Sequence, residues 1–205
     1  MTIDIHSFSV PGQNGANEDC FAHHMLSPEE CVVVVADGMG GLSHGDVASR
    51  LIVSSILEYL KTNYRQISDG QLIRNSLFQA DDILKRECAA RKSRMGASVA
   101  VIYIKESRCF YSSLGDVRIY QKRNGECAQL STDDILYPND HTFITKCING
   151  RGLRETPDVF EIAALDGDEL LIATDGYYLS SHAIDDGKEP DSPEDDATLV
   201  RISFK

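Results

Sequence analysis

Runs of apolar residues divide the chain into nine short extended segments and two longer amphipathic segments. The extended segments are rich in β-branched and aromatic residues, which is typical of β-strands. They are Ile3–Val10, Phe21–Leu26, Cys31–Ala36, Ala97–Ile104, Cys109–Leu114, Arg118–Lys122, Val159–Ala163, Glu169–Ala173 and Ala197–Ile202. From about Asp46 to Tyr64, and again from about Gln71 to Arg91, apolar residues recur with the period of an amphipathic helix.

The order of these segments predicts an α+β fold. Strands come first, two helices follow, and further strands joined by short turns such as Arg123-Asn-Gly and Leu165-Asp-Gly-Asp complete the chain. Strands joined by such turns form antiparallel sheet, and amphipathic helices bury their apolar faces against it. We therefore expect largely antiparallel sheet with helices packed on its outside. A chain of 205 residues is expected to form one domain, residues 1–205.

Composition narrows the classes of partner. Thirty-two acidic and twenty basic residues give a net charge of -12, which repels nucleic acids and anionic membranes. The N-terminus lacks the features of a signal peptide, and no apolar run approaches the roughly 18 residues of a membrane span. The six cysteines include no CxxC pair, which favours reduced thiols. We expect a cytoplasmic protein that binds neither nucleic acid nor membranes.

Four acidic sites share one feature, because each lies at the end of a predicted strand. They are Glu18-Asp19, Asp37-Gly38, Asp175-Gly176 and Asp195-Asp196. A single Asp-Gly pair is most simply a turn. Two such pairs, each ending an apolar strand, instead favour convergence, because a divalent cation needs several carboxylate oxygens. The glycine after Asp37 would also let a backbone carbonyl approach a metal ion.

Six motifs in order along the chain carry a family resemblance. They are Gly12-Gln-Asn-Gly-Ala-Asn-Glu-Asp19, Val35-Ala-Asp-Gly-Met-Gly-Gly41, Gly96-Ala-Ser-Val-Ala-Val101, Ser113-Leu-Gly-Asp-Val-Arg118, Gly167-Asp-Glu-Leu-Leu-Ile-Ala-Thr-Asp-Gly176 and Asp195-Asp-Ala-Thr-Leu-Val200. These motifs resemble those of the PP2C-type metal-dependent serine/threonine protein phosphatases, in particular compact bacterial members. The resemblance implies a four-layer α-β-β-α sandwich, in which two mostly antiparallel central sheets are flanked by helices.

The resemblance also implies a catalytic site. Asp37 would bridge two divalent cations, Mn²⁺ or Mg²⁺, and a water between the cations would hydrolyse phosphoserine or phosphothreonine in a protein. Asp175 and Asp195 would complete the coordination of the first ion, and the Gly38 carbonyl would bind the second. Two acids, Glu18 and Asp19, would hold metal-bound waters. The expected partner is a phosphoprotein substrate, with the enzyme opposing a serine/threonine kinase.

Asp116 allows two interpretations. It matches the position that, together with Asp175, binds a third ion in bacterial members. The simpler interpretation is an aspartate in a tight turn between two strands.

The chain departs from the family pattern at Asn14, where the family usually places an arginine that binds the substrate phosphate. Other arginines could supply the charge, although surface or structural roles are favoured for them: Arg94, Arg118, Arg151 and Arg154. Asp196 stands in place of an asparagine. The flap, at about residues 131–150, and the segment before the last strand, at about residues 177–194, are shortened. Two alternatives follow: a catalytically weak domain that binds a phosphoprotein or partner, and a phosphatase for small phosphomonoesters.

Overall fold

The computed structural model describes residues 2–13, 15–39, 44–137, 143–180, 184 and 187–205. In these ranges it contains twelve strands and three helices. In chain order they are β1 (Ile3–Val10), β2 (Asp19–Ser27), β3 (Glu30–Gly38), α1 (Gly45–Asn63), α2 (Asp69–Arg91), β4 (Ala97–Lys105), β5 (Arg108–Leu114), β6 (Arg118–Arg123), β7 (Glu126–Gln129), β8 (Ile135–Leu136), β9 (Phe143–Ile144), β10 (Phe160–Ala163), β11 (Glu169–Ala173), α3 (Asp175–Ser180) and β12 (Ala197–Phe204).

Ten of the strands form two five-stranded sheets. The first sheet has the order β1-β12-β11-β6-β7 and the second has the order β10-β5-β4-β3-β2, while β8 and β9 form a separate hairpin. All of these pairings are antiparallel. The predicted turn after Arg123 joins β6 to β7, and Asn124 and Gly125 there have the positive φ angles of a tight hairpin. The prediction of antiparallel sheet is therefore confirmed.

Alternation along β3 shows how the layers stack. Val33 and Val35 face the core between the two sheets, whereas Val32 and Val34 face the core under the two long helices. Because successive side chains of a strand point to opposite faces, a run of buried valines can serve both cores. Helices α1 and α2 bury their apolar residues on the outer side of the second sheet. This arrangement gives the first three layers of the sandwich.

The outer face of the first sheet has a reduced helical layer. Among the described residues, α3 is the only helix there, and Tyr177 buries its ring against Leu171 and Leu199. Farther along the same face, Lys122 and Arg201 lie within 4.0 Å of the Glu169 carboxylate. Half-buried side chains of opposite charge thus occupy part of this sheet face. A helix packed there would instead require apolar side chains on the face.

The predicted elements and the observed ones differ mainly at short segments. Strand β1 has the predicted bounds, and the two predicted helices are α1 and α2 with ends shifted by one or two residues. The sequence prediction missed β7, β8, β9 and α3, which contain two to six residues each. Segments of that length are too short for a hydrophobic period to stand out. No helix in the described part of the chain is long and apolar enough to span a membrane.

Candidate metal centre

Strand pairing brings two of the predicted acids together at one end of the second sheet. Asp19 begins β2, Asp37 lies near the end of β3, and the antiparallel register makes them direct partners. On the other side of β3, Asp37 pairs with Ser98 at the start of β4. Directly opposed residues of neighbouring strands have Cβ atoms about 4.5–5.5 Å apart. The strand register itself therefore places Asp19 beside Asp37.

Two more predicted acids lie at one end of the first sheet, next to the ends of two inner strands. Asp175 follows β11, Asp195 precedes β12, and the two strands pair antiparallel. In such a pair the end of one strand lies beside the start of the other. The Thr174 N–H donates to the Thr198 carbonyl oxygen, with an N···O distance of 3.1 Å. This bond extends the pairing beyond β11 to the residue that precedes Asp175.

The electrostatics of Asp37 show that acids from both sheets converge. Burial is the main reason that the pKa of Asp37 lies well above its ordinary value. The negative charges of Asp19, Asp175, Asp116 and Asp195, in decreasing order, raise this pKa further. Like charges have this effect when they share a poorly solvated neighbourhood. Five of the predicted site residues therefore surround one region.

Asp19 has one satisfied and one unsatisfied carboxylate oxygen. Burial raises the pKa of Asp19 to about 8, although hydrogen bonds from the Thr198 and Thr174 side chains act in the opposite direction. The Thr174 hydroxyl donates to Asp19 Oδ2 at 2.8 Å. Oxygen Oδ1 is buried and has no hydrogen-bond partner among the described residues. A buried carboxylate oxygen of this kind calls for a ligand such as a cation or an ordered water.

Asp175 is the first residue of α3 and experiences opposing effects. Burial, followed by the charges of Asp116 and Asp195, raises the pKa of Asp175 to about 6. The Gly176 N–H and the Arg118 guanidinium act in the opposite direction. Burial and repulsion outweigh these two stabilising contacts, so the carboxylate is left with more negative neighbours than positive ones.

Glu18 lies beside the acids at the N-terminus of α1. Its carboxylate contacts Gly45, the first residue of that helix, and accepts a hydrogen bond from the Gly45 N–H. Burial nevertheless raises the pKa of Glu18, and neighbouring acids add to the effect. The Glu18 carbonyl oxygen accepts a bond from the Gly38 N–H, with an N···O distance of 3.1 Å. This bond ties Gly38, at the end of β3, to the segment that carries Glu18.

Asp116 is a turn residue whose charge acts on the other acids. It lies in the short connection between β5 and β6, as a turn residue would. Its charge also raises the pKa of Asp37 and of Asp175. The Ser98 hydroxyl donates to Asp116 Oδ1 at 2.7 Å and holds the carboxylate in this position. The turn therefore adds a negative charge to the centre.

Some of the predicted site lies outside the described residues. Asn14 is one such residue, and so are residues 138–142, in the segment predicted to be a shortened flap, and residues 181–183, 185 and 186, in the segment predicted to be shortened before the last strand. The roles of these residues stay predictions from the sequence.

The chemistry of the acids fits divalent cations bound mainly through water. No three or more His, Cys, Asp or Glu side chains in the described ranges are arranged as a ready ligand set for a single ion. Mg²⁺ keeps several waters and needs only one or two carboxylates, so a ready cage is not required. Excess negative charge, and an Asp19 oxygen that no described residue contacts by a hydrogen bond, are both compatible with such ions. Oxygen donors favour Mg²⁺ or Mn²⁺ over zinc.

The protein phosphatase 2C family model matches residues 11–198. This range contains all of the acids described above. The chain belongs to the protein phosphatase 2C family. Membership confirms the family and the class of enzyme, a protein phosphatase, that the motifs predicted.

Known relatives agree with this membership. The protein phosphatase PhpP of Streptococcus pneumoniae is 24% identical over an alignment of 225 residues, gaps included. The alignment covers 98% of this chain and 91% of the relative. The structure of the serine/threonine phosphatase PstP/Ppp of Mycobacterium tuberculosis has a TM-score of 0.84 at 18% identity, over 100% of both chains. A PstP catalytic domain in complex with two manganese ions has a TM-score of 0.78 at 20% identity, over 98% of this chain and 97% of that one. The structural likeness confirms the predicted fold class.

Asp196 has a role that sequence reasoning missed. Its Oδ1 accepts a bond from the Gly12 N–H at 2.7 Å, and its Oδ2 accepts one from the Glu18 N–H at 2.6 Å. Gly12 and Gly176 both lie so close to the backbone of residues 195–196 that an added Cβ would overlap with it. This carboxylate therefore anchors the first motif, at Gly12 and Glu18, to the last one. An asparagine would offer one acceptor oxygen where Asp196 offers two.

We expect Asp196→Ala to lower the free energy of unfolding by about 2 kcal/mol, because two partly buried N–H groups would lose their acceptor. Urea unfolding followed by circular dichroism measures this change. Asp191→Ala is the matched control, since it removes an exposed carboxylate from the same segment and is expected to change the free energy by less than about 0.5 kcal/mol. Equal stability of the two variants would contradict the anchoring role of Asp196.

Proposed function

We propose that the acids at the ends of the two sheets form the catalytic centre of a metal-dependent phosphatase that acts on phosphoserine or phosphothreonine in proteins. The observation that carries the proposal is the convergence of Asp19, Asp37, Asp116, Asp175 and Asp195, each of which is identified by its charge acting on Asp37 or by its own raised pKa. A fold does not collect five carboxylates for stability alone when, among the described residues, only the Arg118 guanidinium acts against their repulsion, because each additional one costs free energy. A function that requires divalent cations accounts for the cost.

The proposed ligands follow the motifs. Asp37 would contact two cations, Mn²⁺ or Mg²⁺, and Asp175 and Asp195 would complete the first site. The Gly38 carbonyl oxygen would serve the second site. Asp116 and Asp175 would hold a third ion. A PstP catalytic domain, which shares the fold, is in complex with two manganese ions.

The chain's own residues prepare the centre for phosphate hydrolysis. When bound, two cations lower the pKa of a water and stabilise negative charge on the phosphoryl oxygens. Asp19 Oδ1, which is buried and has no hydrogen-bond partner within the described ranges, is available to accept a hydrogen bond from a water of the site. Thr174 orients that carboxylate through its hydroxyl. Glu18 is positioned against the N-terminus of α1 to accept a second such bond.

A second candidate function is the binding of a phosphoprotein or partner with little turnover. The observation that favours it is Asn14, which supplies no charge where the family places arginine. Arg118 is not free to supply the missing positive charge, because its guanidinium is already bound to Asp133 and stacked on Tyr178.

The third alternative, hydrolysis of small phosphomonoesters, stays a prediction from the shortened flap. The single-domain organisation, an opposing kinase and a cytoplasmic location also stay predictions.

We expect hydrolysis of p-nitrophenyl phosphate and of phosphothreonine peptides to need millimolar Mn²⁺ or Mg²⁺ and to stop with chelator, because few carboxylates make a weak site. Asp37→Asn and Asp175→Asn should each remove nearly all of kcat. The metal-free variants should fold at least as stably as the wild type, because each substitution removes one of several mutually repelling charges.

Asp166→Asn is the matched control, since Asp166 precedes a glycine in an exposed turn away from the acids. This control should keep wild-type turnover. Full activity after exhaustive chelation, or comparable activity in Asp37→Asn and Asp166→Asn, would show that the centre is assigned wrongly.

Asn14→Arg should lower the KM for phosphomonoesters about tenfold or more. A hydrogen bond to a charged group contributes about 1.5–3 kcal/mol, and each 1.4 kcal/mol is a factor of ten. A contact of equal strength in the ground state and the transition state would leave kcat little changed. Steady-state kinetics at saturating Mn²⁺ measure both constants.

Gln13→Arg controls for the general effect of added positive charge, because it places the same side chain one residue away. Equal KM values for the two variants would show that residue 14 does not contact the phosphate. If KM were also insensitive to alanine substitution of Arg94, Arg151 and Arg154, the binding function would be favoured over catalysis.

A further inference from the structure

The helix that begins with Asp175 is short, so contacts with its surroundings must hold its position. Helix α3 spans six residues, and an isolated helix of that length is unstable in water. Within it, Gly176 and Tyr177 are buried, and Tyr177 packs against the outer face of the first sheet. A contact made by Tyr178, one turn after Asp175, ties the helix to a second acid of the centre.

Tyr178 connects α3 to the turn that carries Asp116. The Tyr178 hydroxyl donates to the Asp116 carbonyl oxygen at 3.2 Å. The guanidinium carbon of Arg118 lies 3.7 Å from the centroid of the Tyr178 ring, which is within the range of a cation–π interaction. Two residues of one short segment, Asp116 and Arg118, therefore contact the same tyrosine through its hydroxyl and its ring face.

Arg118 is itself fixed from a third direction. Its Nε lies 3.0 Å and its Nη2 2.7 Å from Asp133 Oδ2, so both nitrogens donate to the same carboxylate oxygen. The next residue, Asp134, donates its N–H to the Gly115 carbonyl oxygen at 2.8 Å. The beginning of the shortened flap is thus bound to the Asp116 turn at two points. An arginine held by a carboxylate and an aromatic ring has little freedom to move.

We propose that Tyr178, Arg118 and Asp133 form a clip that sets the separation of Asp116 and Asp175 and thereby tunes divalent-cation binding at that side of the centre. The inference rests on the proposed function, because it assumes that these two acids face a cation. Asp116 and Asp175 carry like charges and lie on two separate segments, the β5–β6 turn and α3, so their repulsion favours separation in the metal-free protein. The clip opposes their separation, so that a cation need not itself draw the turn and the helix together.

The clip is a positioning device, and Tyr178→Phe tests it most selectively. This substitution deletes the hydroxyl bond to Asp116 and keeps the ring under Arg118. Titration of the chelator-treated protein with Mn²⁺, followed by the electron paramagnetic resonance of free Mn²⁺, should show one ion bound about three- to tenfold more weakly than in the wild type. Binding of the other ions should be little affected. Activity lost by the variant at low Mn²⁺ should return at saturating Mn²⁺, which a general packing defect would not allow.

Two further variants make the test decisive. Tyr103→Phe is the matched control, because the Tyr103 hydroxyl is buried and has no hydrogen-bond partner among the described residues. It should bind Mn²⁺ as the wild type does. Asp133→Asn loosens Arg118 without touching Tyr178, and it should weaken Mn²⁺ binding in the same direction as Tyr178→Phe.

Mn²⁺ binding by Tyr178→Phe and Asp133→Asn that is indistinguishable from that of the wild type would overturn the clip. That result is separable from a failure of the proposed function, which Asp37→Asn reports. If Asp37→Asn loses Mn²⁺ while Tyr178→Phe keeps wild-type affinity, only the clip is wrong. If Asp37→Asn and the wild type bind Mn²⁺ equally, the site assignment fails as well.

Discussion

Mutual repulsion among partly buried carboxylates is the constraint on which the acidic end of the two sheets depends. Burial and like charge both raise the pKa of Asp37, and no positive side chain is among the main influences on that group. Local structure has to hold the acids in place against this repulsion. The β2–β3 register does so for Asp19 and Asp37, and the Ser98 hydroxyl does so for Asp116. The rest of the fold supplies the buried scaffold that keeps these contacts rigid.

The scaffold is unequal on its two sides. Helices α1 and α2 bury one side of the second sheet, and the N-terminus of α1 carries the contact with Glu18. On the opposite side, the described residues provide the short helix α3, and part of the sheet face carries the charged group Lys122, Glu169 and Arg201. Because α3 begins with Asp175, the thinner side of the sandwich is also a side that presents a member of the centre. There, the hydrogen bond and the ring stacking of Tyr178 help to hold α3 in position, whereas α1 is held by apolar packing.

Much of the fold could be predicted because its strands and long helices carry regular hydrophobic periods. The valines of β3 and the apolar stripe of α1 decide their positions by local pattern. The positions of Asp37 and Asp175 at strand ends could be predicted because each ends an apolar run and precedes glycine. The anchoring role of Asp196 could not, since its partners Gly12 and Glu18 are about 180 residues away and an acidic segment is usually solvated. The stacking of Arg118 on Tyr178 likewise depends on a three-dimensional approach that no local pattern encodes.

The most direct test of this account is the pH dependence of the free energy of unfolding, measured by urea with chelator and again with saturating Mn²⁺. Asp175 and Asp19 have pKa values raised to about 6 and about 8, so the metal-free folded state binds more protons than the unfolded state between about pH 4 and pH 8. Metal-free stability should therefore fall as pH rises through that window, and it should fall less in Asp37→Asn. The stabilisation by Mn²⁺ should grow with pH, because the cation binds the ionised carboxylates. A metal-free stability whose pH dependence is the same in the wild type and in Asp37→Asn, with no stabilisation by Mn²⁺ at any pH, would contradict the account.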